Sequence, residues 1–196
     1  MPVSVPERPG IAILRGAAEI IEVAALRHGA AAVARYAAAC AEPLPPFGQV
    51  TLGAARLALC VRPARWLLVG PFTAHSPAPR AARWRAGCAG TAAVTELSSA
   101  LAGFFLSGAA LRPVLARGCR LDLDPERFAP GHAAATVMAQ VSVTLAALPR
   151  GMLLLTAAST AQHFAEWLES TARPFGTAVA VQAEDFFPDV TAARRA

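Results

Sequence analysis

The sequence predicts an α+β protein built from two strand-and-helix halves with largely antiparallel sheets. Short β-branched or alternating runs lie close enough together to pair as hairpins, and only one or two helical segments interrupt them in each half. The 196-residue chain is 55% apolar, enough to bury a core without disulfide or metal staples. The pattern divides the chain into an N-terminal extension (1–15), a first half (16–90), a second half (91–182) and a tail (183–196).

The first half opens at Glu19-Ile20-Ile21-Glu22-Val23-Ala24-Ala25-Leu26, whose β-branched residues favour a strand although its alanines also suit a helix. Residues 30–41 read as a helix stopped by the Pro43, Pro45 and Pro46 cluster. Strands 57–61 and 66–69 flank Arg62-Pro63-Ala64-Arg65. From Pro71 to Gly90 the composition fits a loop or a short surface helix around Arg80 to Arg85.

The second half begins with a strand at 92–96, which turns through Ser98-Ser99 into the run 101–107. Ser107-Gly108 opens a helix with Leu111, Val114 and Leu115 on one side and Gly118 at its end. Between Phe128 and Pro149, polar Thr136, Gln140, Ser142 and Thr144 alternate with Val137, Ala139, Val141, Val143 and Leu145, the period-two pattern of one long half-buried strand and not of a membrane helix. That strand pairs with 152–156 across Leu148-Pro149-Arg150-Gly151. Ser159 or Thr160 then caps a helix through Arg173, with Phe164, Trp167 and Leu168 on its apolar face and Gly176 just beyond.

Composition carries less functional information than its extremes imply. With 48 alanines, 18 arginines, no lysine and no asparagine, the chain has the mark of GC-rich codon bias. Its net charge of +5 and pI near 9.8 are therefore weak pointers to nucleic acid, which is not expected as a partner. The 16% charged content excludes a disordered, solvating chain. One stretch concentrates the positive charge: between Glu42 and Glu96 lie Arg56, Arg62, Arg65, Arg80, Arg83 and Arg85 and no acid. Beside Trp66, Phe72 and Trp84 they make a guanidinium and aromatic combination suited to a protein interface. Arg62, Arg65, Trp66, Arg83, Trp84 and Arg85 form the candidate partner interface.

No catalytic, cofactor-binding or metal-ligating residue is assigned. His28, His75, His132 and His163 stand apart from one another and from carboxylates. Cys40, Cys60, Cys88 and Cys119 have no close spacing, so free thiols in a reducing cytoplasm are the expectation. Asp122 and Asp124 fit a capped turn at Pro125 better than an acid–base pair. Cys119 follows a helix C-terminus, whose dipole disfavours a thiolate. No strand–GxGxxG–helix element exists for a dinucleotide. The first nine residues have neither the basic nor the apolar region of a targeting signal, so a cytoplasmic chain beginning near Met1 is expected.

Several segments occur in the order of a known family. They are Val94-Thr95-Glu96-Leu97-Ser98, Phe104-Phe105-Leu106-Ser107-Gly108, Val114-Leu115-Ala116-Arg117-Gly118-Cys119, Leu121-Asp122-Leu123, Phe128-Ala129-Pro130-Gly131 and Phe164-x-x-Trp167-Leu168, preceded by Arg62-Pro63-Ala64-Arg65-Trp66-Leu67-Leu68. From about Glu19 to Gly176 the chain resembles the gamma subunit of heterotetrameric sarcosine oxidase. Gly-Cys-x-Leu-Asp-Leu is the most specific of these elements.

The resemblance implies a fold akin to the tetrahydrofolate-binding, aminomethyltransferase-like proteins and a place in a complex that oxidatively demethylates sarcosine to glycine. It further implies that FAD, FMN, NAD, zinc and tetrahydrofolate belong to the alpha, beta and delta subunits, with gamma packed mainly on alpha and binding no cofactor itself. N-methylglutamate dehydrogenase-type complexes use a similar subunit, which leaves the amine substrate open. A stand-alone folate or small-anion binding protein using Arg62, Arg65, Arg83 or Arg85 is the alternative. Against a folate role, Arg117-Gly118-Cys119-Arg120-Leu121 stands where related folate-dependent proteins carry Lys-Gly-Cys-Tyr-x-Gly-Gln. Pro113 departs from the family pattern too, and predicts a late start or a kink in its helix.

Overall fold

The computed structural model describes residues 10–53, 56–72 and 78–182. Two sheets form its middle. One joins β2 (Ala18–Ala25), β3 (Gln49–Leu52), β4 (Leu57–Arg62), β5 (Arg65–Pro71) and β6 (Ala92–Glu96) in the order β3-β4-β5-β2-β6. The other joins β1 (Ile11–Gly16), β7 (Leu101–Ser107), β8 (Ala133–Met138), β9 (Val141–Leu148), β10 (Gly151–Ala157) and β11 (Thr177–Gln182) in the order β11-β1-β7-β10-β9-β8. Every pairing is antiparallel except β1 with β11. The helices are α1 (Ala30–Ala39), α2 (Ala78–Gly87), α3 (Leu111–Ala116) and α4 (Ala161–Ala172), and no described helix is long and apolar enough to cross a membrane.

Alternation along each strand supplies a core on both faces. Between the sheets, Ala18, Ile20, Leu57, Leu59 and Val69 meet Phe105, Ala146, Leu148, Leu153 and Leu155. On the outer face of the first sheet, Ile21, Val23, Ala58 and Leu68 pack beneath Val33 and Ala37 of α1 and Ala81 and Trp84 of α2. On the outer face of the second, Ile11, Ile13, Phe104 and Leu154 pack beneath Val114 and Leu115 of α3 and Phe164 and Leu168 of α4. The layers therefore run helices, sheet, sheet, helices. Each half repeats one path, β2-α1-β4-β5-α2-β6 and β7-α3-β9-β10-α4-β11, the split βαβ arrangement with an edge strand added.

Several expectations are corrected. The N-terminal extension is not wholly one, because β1 lies between β7 and β11 with Ile11 and Ile13 buried. Strand β6, placed with the second half, pairs with β2 in the first sheet. The single strand over 128–149 is a hairpin: Ala139 and Gln140 turn with φ of 50° and 66°, so Met138 is buried and Val137 is 39% exposed. The stretch 71–90 contains α2, while its residues 73–77 and the tail 183–196 lie outside the described residues. No side chain caps α4; the Thr160 hydroxyl donates to Ala157 O instead.

Pro113 falls in the first turn of α3, where its missing N–H breaks no helical hydrogen bond, and the helix starts late, at Leu111. Gly118 closes the segment for a packing reason: a Cβ there would lie 2.4 Å from the Trp167 ring. Gly176, at φ 70°, ends the short 3-10 turn after α4.

Candidate functional site

Glu19 is the second residue of β2, on the same face as Ile21 and Val23, so its carboxylate is turned into the helix layer and is 1% exposed. Glu42 follows α1. The Arg80 side chain, 4% exposed, reaches across from α2 and donates through Nη2 to Glu42 Oε2 at 2.8 Å, with Nη1 3.8 Å from Glu19 Oε2. One turn further along α2, Trp84 donates its indole N–H to the same Glu42 oxygen at 3.3 Å. Arg83 donates to Glu42 Oε1 at 3.3 Å, and Arg56 stands 3.6 Å from Glu42 and 3.8 Å from Glu19.

Three guanidinium groups and two carboxylates thus share one neighbourhood. Burial pushes the Arg80 guanidinium below its ordinary range, against the pull of the Glu42 hydrogen bond and charge. Tyr36 completes the packing, its ring edge-on to Trp84 at 5.1 Å and its hydroxyl donating to Arg83 O. Gly87 allows that approach, since a Cβ there would meet the Tyr36 ring at 2.0 Å. Beside the cluster opens a cleft of about 240 Å³ lined by Glu42, Arg56, Arg80 and Arg83 among others.

The six residues of the candidate interface do not form one surface. Trp84 is fully buried, and Trp66 is 8% exposed with its indole N–H donated to Pro45 O. Both tryptophans are core residues of the first sheet's helix layer. Arg62 and Arg65 sit on the β4–β5 hairpin, where Arg65 is 3.5 Å from Glu22, beside a second cleft of about 170 Å³ between the sheets. Arg83 and Arg85 sit on α2, Arg85 donating to Val94 O.

Sequence reasoning passed over Glu19 and Glu42. Two signals were present: an acid inside the apolar run 18–23, and a basic stretch without acids, whose counter-charges had to come from outside it.

The other polar residues are accounted for locally. Asp122 Oδ1 accepts from the Asp124 N–H and Asp124 Oδ1 from the Glu126 N–H, the capped turn expected there, and Asp122 also meets Arg127 at 3.2 Å. Arg112 donates to Leu123 O and Phe128 O, tying α3 to that turn. Burial raises the thiols of Cys60, Cys88 and Cys119. His132 faces Ala129 O, His163 lies exposed on α4, His28 is in a turn at φ 66°, and His75 is outside the described residues. Among the described residues no three of His, Cys, Asp and Glu gather into a metal-sized group.

Fold and cluster together define a class: a four-layer α+β protein in which charged side chains tie α1, α2 and the first sheet to one another. Comparison with known proteins narrows the fold. No protein-family model and no curated protein matches the sequence. Among solved structures, the chain is similar to one of the heterotetrameric sarcosine oxidase from Corynebacterium sp. U-96, with a TM-score of 0.75 and 22% identity over 87% of this chain and 88% of that one. The two chains are thus about equal in length and share a fold.

Proposed function

We propose that this chain is an accessory subunit, equivalent to gamma, of a sarcosine oxidase-like complex in the cytoplasm. The shared fold over nearly the full length of both chains carries this reading. Sarcosine is oxidised to glycine in such a complex, O2 is reduced to hydrogen peroxide, and the one-carbon unit passes to tetrahydrofolate or leaves as formaldehyde. FAD, FMN, NAD, zinc and folate are assigned to alpha, beta and delta, and this chain packs on alpha. The family-like segments across 94–168 support the assignment. So does the apolar content, since an obligate subunit keeps surface that its partners cover. The exposed arginines Arg62, Arg65, Arg83 and Arg85 are the polar contacts proposed for that interface; Trp66 and Trp84 support it from inside the core.

Co-expression with the alpha, beta and delta chains of a sarcosine oxidase tests the proposal. The chain is expected to co-purify with them in fixed stoichiometry, and the pair R62E/R65E to reduce recovery of the complex. A stable monomer that does not co-purify would overturn it.

A further inference from the structure

The cleft beside the Glu19–Glu42 cluster has a charge imbalance, and of its three arginines only Arg83 is shared with the interface proposed above. Its charged lining is Glu42 with Arg56, Arg80 and Arg83, and Glu19 stands behind them within 3.8 Å of Arg56 and Arg80. Among the described residues, three cations against two anions leave one positive charge without a counter-charge. Part of that charge is held where water cannot relieve it: Arg80 is 4% exposed, and among the described residues its Nε and Nη1 and Arg56 Nε are donors without a hydrogen-bond partner, against one such acceptor, Glu19 Oε1. Arg56 Nε and Arg80 Nη1 are neighbours, 3.2 and 3.4 Å from the position a Cβ on Gly70 would take. Burying a guanidinium without full pairing is costly, so the region favours an added negative charge.

We propose that the cleft binds a small monocarboxylate, seated on Arg56 and Arg83 at the rim and facing Arg80 at the floor. Arg56 and Arg83 are 39% and 54% exposed and can turn their forks to an incoming ligand. A planar carboxylate matches a guanidinium fork through two parallel N–H···O bonds. One negative charge brings the five-residue cluster to neutrality, whereas a dianion would reverse its sign beside Glu42. Pro43, Leu57 and Leu68 give the cleft apolar walls for a short hydrocarbon tail. About 240 Å³ is below the roughly 300–1,000 Å³ of drug-sized pockets, which suits a small ligand.

The test titrates the full-length chain, alone or in the complex with which it purifies, with sodium formate, acetate and propionate. Sodium chloride and sulfate at matched ionic strength serve as controls, and thermal unfolding and calorimetry are the readouts. Carboxylates are expected to give a saturable rise in Tm that chloride does not, by mass action on the folded state. R56A is expected to weaken acetate about tenfold, the effect of losing a charge-assisted contact. G70A keeps every charge but sets a methyl group against both unpartnered N–H groups, and is expected to weaken acetate as well. The inference fails if acetate shifts Tm no more than chloride, if sulfate binds more tightly than acetate, or if R56A binds acetate as the wild type does.

Discussion

Glu42 shows how much one side chain organises. Its Oε2 accepts from Arg80 and Trp84, and its Oε1 faces Arg83 and Arg56, so one carboxylate ties the end of α1 to α2 and to the start of β4. Removing it leaves Arg80 charged, buried and without its only carboxylate hydrogen bond among the described residues. Glu42→Ala is therefore expected to lose about 3–5 kcal/mol of stability in urea unfolding. Glu22→Ala breaks the more exposed pair with Arg65, half-open to solvent, and is expected to cost no more than about 1 kcal/mol in the same measurement. At this scale the sequence misleads most easily. Trp84 lies between Arg83 and Arg85, yet adjacent residues on a helix point to different faces, so charged neighbours say nothing about its exposure. Trp66 follows Arg65 on a strand, where successive side chains point to opposite sides.

Among the elements, the β8–β9 hairpin carries the clearest strain. Ala139 and Gln140 both have positive φ, the signature of a type I′ turn, but neither is Asn or Gly. Left-handed backbone costs an ordinary residue about 1–2 kcal/mol. The double substitution Ala139→Asn, Gln140→Gly is expected to stabilise the protein by about 1–2 kcal/mol, read as a higher melting temperature with an unchanged circular dichroism spectrum. The same turn explains the misread strand. Without an Asn-Gly or Asp-Gly signal the alternating pattern runs straight through residues 139–140, and its phase there places Val137 inward where the structure buries Met138. Strand β1 escaped notice for another reason: six residues carry little periodicity, and its partners β7 and β11 begin at Leu101 and Thr177. The alanine-rich helix α1 was legible because a proline cluster marks where it must stop.

For the whole molecule the consequence is that the two halves are not independent. Strand β1 completes the second sheet from the N-terminus, β6 completes the first from beyond residue 90, and the apolar residues between the sheets come from both. Expressed separately, 1–90 and 91–196 are each expected to lack a cooperative thermal transition, the second because nothing lies between β7 and β11. Co-expressed, they are expected to recover one, since the cut falls in the turn at Gly90, where φ is 71°.

By itself, the sequence determined the α+β class and the order of most elements, because these follow from local periodicity, turn residues and spacing. Its 55% apolar content ensured a core. Only the tertiary structure decided which sheet each strand joined and which charges met. Strand pairing depends on partners as far apart as Ile11 and Thr177, and the basic stretch acquired its counter-charges from Glu19 and Glu42 on other elements. Such contacts are selected by the packing of the whole chain, and no local window contains them.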